Sequence, residues 1–115
     1  YLRNEKSLGH SAACNKGLEN SMSNNVFLLN SDTLVSENSL DILSRVLRKN
    51  DDIAVVGPST SSAYGPQLIK ELYEKRFSIS GEILEELAKG IEKNEEIEDI
   101  NLINGFCFGI KKDVF

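Results

Sequence analysis

The chain has 115 residues, 40% hydrophobic and 27% charged, which excludes an intrinsically disordered chain and leaves room for one small core. No apolar run approaches the ~18–20 residues of a membrane-spanning helix, and the polar opening of the chain does not read as a signal peptide. The net charge of −5 is concentrated in residues 82–99, where only Lys89 and Lys93 offset the acids. With no basic, aromatic-bearing stripe, a nucleic-acid groove is excluded, and the acidic stretch reads as a solvated helix face and loop or as a partner-binding lobe.

Leu8 to Met22 reads as a helix, with Leu8, Ala12, Asn15, Leu18 and Met22 on one stripe. Asn15 is a polar residue in that stripe, and Gly17 sits near mid-helix, where it costs about 1 kcal/mol relative to Ala. Val26 to Leu29 is a continuous apolar run that predicts a strand buried on both faces. It ends in Asn30-Ser31-Asp32-Thr33. Ser36 then caps a predicted helix to Asn50, with Leu40, Ile42, Leu43, Val46 and Leu47 inward and Arg48-Lys49 at its negative end. Ile53 to Val56 is a second predicted strand, stopped by Gly57-Pro58.

Strand, helix, strand at this spacing predicts a βαβ unit with parallel strands. A loop from Ser59 to Gly65 follows, then a helix opened by Pro66 with Leu68, Ile69, Leu72 and Tyr73 inward. Gly81 to Lys93 is a further predicted helix on an Ile83, Leu84, Leu87, Ile91 stripe. Leu102 to Ile110 reads as a strand, and Lys111 to Phe115 as a helix start. The fold class is α/β.

Ligands of open α/β sheets bind beyond the carboxyl ends of the strands, the place Asn30 to Thr33 occupies. Asp32 is a hard oxygen ligand suited to Mg²⁺ or Mn²⁺, or else part of an Asx turn. Asn4, Gly9, Asn15 and Gly17 form a second constellation, readable as a phosphate or substrate site or as a loop glycine and a satisfied amide. His10 lacks a nucleophile or carboxylate at a telling spacing and reads as a helix-start or surface histidine. Cys14 and Cys107 read as packing residues in a reducing compartment, with no disulfide framework and no metal partner at a usual spacing. Gly57-Pro58 and Gly65-Pro66-Gln67 read as turns, with Gln67 at a helix start facing the cleft.

Taken in order, these segments resemble the family-two inverting glycosyltransferases. Asn4, Leu8-Gly9 and Ala12 through Asn15-Lys16-Gly17 look like that family's N…GfxxAxNxG signature. Val26 through Thr33 resembles its flLNxDt metal-binding strand end. Val55-Val56-Gly57-Pro58 with Gly65-Pro66-Gln67 resembles a vGP…Q variant, and Asn104 through Phe115 its GxcxxikrevF segment.

The resemblance implies a partial GT-A fold: Rossmann-like, with parallel strands and helices on both faces. It implies that Asp32 holds the divalent ion of a nucleotide-diphospho-sugar. Asn30 and Ser31 would line the donor sugar, Asn4, Gly9 and Asn15 the nucleotide site, and Gly105 and Phe106 the acceptor side. Asn30 stands where the family's Asp-x-Asp motif has its first acid, which throws metal binding onto Asp32.

The family's opening strands are expected before Tyr1 and its catalytic carboxylate beyond Phe115. Residues 1–115 are therefore expected to be the central part of one catalytic domain, inactive alone and prone to self-association through an exposed strand edge. The acceptor is a carbohydrate, a lipid-linked group or a protein. The expected location is the cytoplasm, or the inner face of the membrane for the parent protein. A nucleotidyltransferase and a non-enzymatic α/β binding or signalling module are the alternatives.

Overall fold

The helix with the cleanest apolar stripe is also the one that builds the core. In the computed structural model, which describes residues 2–74, 78–91 and 96–114, it runs Ser39–Lys49. In chain order the elements are α1 (His10–Asn20), β1 (Asn25–Leu29), α2 (Ser39–Lys49), β2 (Val55–Val56), the one-turn α3 (Lys70–Tyr73), α4 (Gly81–Ile91) and β3 (Cys107–Lys111). A 3-10 turn over Lys112–Val114 follows, where a helix start is expected.

Leu43 and Leu47 of α2 are buried together with Leu18 of α1 and Cys107 of β3, while Leu40, Ile42 and Val46 are half-buried. Asp41 in the first turn of α2 and Arg48 and Lys49 in the last suit the helix dipole. The helix begins later than Ser36. That side chain is buried, its Oγ lies 2.5 Å from Ser39 Oγ, and its carbonyl accepts the Ser39 N–H, which makes a turn ahead of the helix.

β3 lies between β1 and β2 and runs antiparallel to both. β1 and β2 therefore point the same way, but they are not neighbours, and the sheet's pairings are antiparallel where a parallel sheet is expected. The reason is topological. The chain leaves β2 and re-enters the sheet at Cys107, which pairs with Leu29 at the carboxyl end of β1, so the returning strand must run against both. An apolar run identifies a strand without giving its direction.

β1 is an edge strand, half-buried rather than covered on both faces, with Leu29 exposed. Phe27 pairs directly across from Gly109. A Cβ on Gly109 would lie 2.6 Å from Phe27 Cε1 and 3.1 Å from Leu47 Cδ1, so only glycine lets the ring and the α2 leucine close over β3.

Two adjacent lysines at the end of β3 tie the helices to the sheet. Lys111 Nζ donates to the Asn50 carbonyl at 2.6 Å, just past α2, and Lys112 Nζ to the Ser21 carbonyl at 2.5 Å, just past α1. Each ammonium thus sits at the negative end of a helix.

Other elements depart from expectation for local reasons. α1 is shorter than Leu8 to Met22, because Gly9 at its N-cap has φ 78° and Ser21 is extended. Of its predicted stripe only Leu18 is buried, while Leu8, Ala12, Asn15 and Met22 are exposed. Pro66 does not open a helix. Thr60 instead bridges Leu68, donating its N–H to the Gln67 carbonyl at 2.8 Å and accepting that of Ile69 at 2.8 Å, and helix starts only at Lys70. Leu102 to Phe106 carries no strand, and β2 is limited to Val55–Val56. In α4, Leu84 and Leu87 are half-buried and Ile83 is exposed; its predicted end at Lys93 and the Ile91 side chain lie outside the described residues.

The radius of gyration of 15.0 Å exceeds the ~13 Å of a compact domain of this length. Among the described residues no helix is long and apolar enough to cross a membrane.

Candidate functional site

Two segments far apart in sequence meet at the carboxyl end of β1. Asn30 donates its backbone N–H to the Phe106 carbonyl at 2.9 Å, and Thr33 Oγ1 donates to the same oxygen at 3.3 Å. The Thr33 N–H returns to the Asn30 carbonyl at 3.2 Å, which makes a tight turn with Ser31 and Asp32 at its tip. The turn is closed by backbone groups rather than by an Asx side chain, and it leaves Asp32 exposed at its tip.

Two open cavities flank the junction. One, of about 630 Å³, lies between α1 and β1 and is bounded at its end by Asn30, Ser31 and Asp32. The other, of about 640 Å³, is lined by Tyr64, Tyr73, Asn104, Gly105 and Phe106. Asn30 and His10 line both. His10, exposed on the first turn of α1 with Cys14 Sγ 3.7 Å from its Nε2, thus stands at the boundary between the cavities.

The far wall of the second cavity is fixed by a buried amide. Gln67 is 4% exposed, in no helix, and lies beneath the cavity rather than in it. Its Nε2 donates to the Pro58 carbonyl at 2.8 Å, and its Oε1 accepts the Asn104 N–H at 2.6 Å. Asn104 Nδ2 in turn donates to the Tyr64 carbonyl at 2.8 Å. The loop before β3 is thereby tied at two points to the loop between β2 and α3. A Cβ on Gly57 would meet Gln67 Nε2 at 2.7 Å, which accounts for the Gly57-Pro58 and Gln67 pattern in packing terms.

The expected residues divide between these surroundings. Asn30, Ser31 and Asp32 come together on one side and Gly105 and Phe106 on the other. Asn4, Gly9 and Asn15 line neither cavity: Asn4 Oδ1 accepts from Lys16 Nζ at 2.8 Å, Gly9 precedes α1, and Asn15 is exposed. Gly17 lines the first cavity. Sequence reasoning missed Tyr64, Tyr73 and Asn104; the Asn104-Gly105 turn signal was hidden inside a run read as strand. Burial pushes the Cys107 thiol pKa up, in keeping with a packing role.

Among the described residues no three His, Cys, Asp or Glu side chains are grouped to hold a metal ion. Asp32 is the only carboxylate among the described residues lining either cavity. A lone carboxylate fits a Mg²⁺-like ion completed by substrate phosphate oxygens and water, not an all-protein cage.

The chain is thus a mixed α/β unit with two open cavities meeting at the carboxyl end of β1. The chain matches Glycosyl transferase family 2 over residues 1–115, and it belongs to that family. Comparison with the curated proteins and with the solved structures gives no match. Membership implies a glycosyltransferase of the nucleotide-sugar type with a GT-A fold, and favours that reading over a nucleotidyltransferase or a non-enzymatic module.

Proposed function

We propose that this chain is the central part of an inverting, divalent-metal-dependent catalytic domain that moves a sugar from a nucleotide-diphospho-sugar to an acceptor hydroxyl. The observation that carries the reading is the junction at Asn30, where the turn bearing Asp32 is strapped to Phe106 and the two cavities adjoin. Donor and acceptor must meet across such a boundary for direct transfer.

In this reading Asp32 holds the metal ion with the donor diphosphate, and Asn30 and Ser31 face the donor sugar. Gly105 and Phe106 form the acceptor side. A bound divalent ion supplies neutralisation of the charge that grows on the leaving diphosphate. Asn4, Gly9 and Asn15 would contribute to the nucleotide site only once further chain shapes that end of α1. The carboxylate that takes the acceptor proton is assigned beyond Phe115, and strands preceding Tyr1 are assigned to the open edge of β1, completing a Rossmann-like sheet. The thin core and the exposed Leu8 and Met22 flanking α1 and Leu29 of β1 support that incompleteness.

The test is a binding titration of nucleotide-sugars with Mn²⁺, on this chain and on a chain extended at both ends, each beside its Asp32→Ala variant. Binding by the extended protein that is lost in Asp32→Ala supports the reading, and the preferred nucleotide names the donor class. No binding by either form overturns it.

A further inference from the structure

We propose that the acceptor is a saccharide, and that the Tyr64 ring is the platform on which one of its pyranose rings stacks; this rests on the glycosyltransferase reading above. The cavity beyond Phe106 joins three aromatic rings, Tyr64, Tyr73 and Phe106, to the amides of Asn30 and Asn104. Its described lining carries no Lys, Arg, Asp or Glu. That chemistry discriminates among acceptor classes. A phosphate-bearing lipid calls for cations and a long apolar wall, and a basic or acidic peptide calls for opposite charges. A sugar ring presents a face of C–H groups for an aromatic ring and a rim of hydroxyls that both donate and accept; the Asn30 amide serves both roles, and Asn104, whose Nδ2 is held by Tyr64 and Gln67, offers its Oδ1 as an acceptor.

Tyr64 is fixed through its backbone carbonyl rather than through burial of its ring. It is 85% exposed and contributes nothing to the core, yet its backbone is held by the bond from Asn104 Nδ2 and, through Asn104, by buried Gln67. An exposed ring on a fixed loop at a cavity wall is a preorganised contact surface. Saccharide lying on it would reach toward Asn30 and His10, where the donor-side cavity begins.

The test uses the full-length protein that carries this chain, on an array of immobilised mono- to tetrasaccharides, with farnesyl phosphate and a Ser/Thr peptide as the competing acceptor classes. The best saccharide is then titrated calorimetrically. The expected result is saccharide binding that falls at least tenfold in Tyr64→Ala and is retained in Tyr64→Phe and Tyr64→Trp, at an unchanged melting temperature. Retained affinity in Tyr64→Ala, capture of the prenyl phosphate or peptide in place of any saccharide, or no saccharide binding at all overturns the proposal. Nucleotide-sugar binding by the unaltered protein, measured in parallel, separates the two failures. If it persists without saccharide binding, only this proposal falls; if it is absent, the glycosyltransferase reading falls first.

Discussion

The buried Oε1 of Gln67 accepts the backbone N–H of Asn104 at 2.6 Å, while the same carboxamide donates to Pro58, so one side chain sets the spacing of the β2–α3 loop and the loop before β3. Replacing it with Ala takes the partners from the half-buried Asn104 N–H and Pro58 carbonyl, at a cost of about 1–3 kcal/mol. Gly57→Ala acts on the same amide, because its Cβ would lie 2.7 Å from Gln67 Nε2. The two changes share one cause, so their combined effect in urea denaturation is expected to fall well short of the sum. Full additivity would show that Gly57 and Gln67 are not one packing unit.

The Phe27–Gly109 pair predicts a second stability effect. Asn30 donates to Phe106 across the β1–β3 ladder, and stepping back along an antiparallel register puts Phe27 and Gly109 at a non-hydrogen-bonded pair, where side chains come closest. Gly109→Ala forces the ring off the strand and should cost about 1–3 kcal/mol by overpacking. Phe27→Leu in the same chain should recover part of that loss, measured as the urea midpoint of the single and double variants.

How much of this was legible in the sequence follows from which interactions each element depends on. α2 was readable because its stripe, end charges and burial all lie within one helix. The stripe of α1 was misleading, because helical spacing records an apolar face without saying what covers it, and most of that face is exposed. The direction of β3 depends on the excursion between Val56 and Cys107, which no local pattern encodes. At the site, Asn30 to Asp32 stood out by their place at a strand end, whereas Gly105 and Phe106 lay inside a run read as strand and entered only through the family resemblance. Tyr64 and Asn104 did not stand out, because they are brought to the cavity by Gln67, a polar residue whose burial only the folded loops reveal.

Cys107 gives a pH dependence with a definite sign. Burial raises its pKa, so the folded thiol keeps its proton at a pH where the unfolded one releases it. Its contribution is therefore fully present below the ordinary thiol value of ~8.5 and is lost as pH rises from there through the folded value. Urea midpoints taken at neutral and alkaline pH should fall more steeply for the unaltered chain than for Cys107→Ala. Equal slopes would remove the thiol as the cause. Thiol labelling provides a second reading: half-buried Cys14 should react in the folded protein, and Cys107 only on unfolding.

The open edge of β1 makes the last prediction. β1 pairs with β3 along one side, and no strand pairs with its other side among the described residues. The Asn30 N–H points to β3, so by the alternation of an antiparallel ladder the Leu28 and Val26 N–H groups do too, leaving those of Leu29 and Phe27 directed at the open side. An apolar strand with free donors on a groove of about 630 Å³ is a template for another strand. The 115-residue chain alone should therefore self-associate with rising concentration in sedimentation velocity, whereas a chain extended before Tyr1 should stay monomeric. Leu29→Pro removes an outward donor while sparing the β1–β3 ladder, so it should restore the monomer without unfolding the sheet. A concentration-independent monomer for the unaltered 115 residues would mean that the edge is protected within this chain, and the strands assigned before Tyr1 would lose their place.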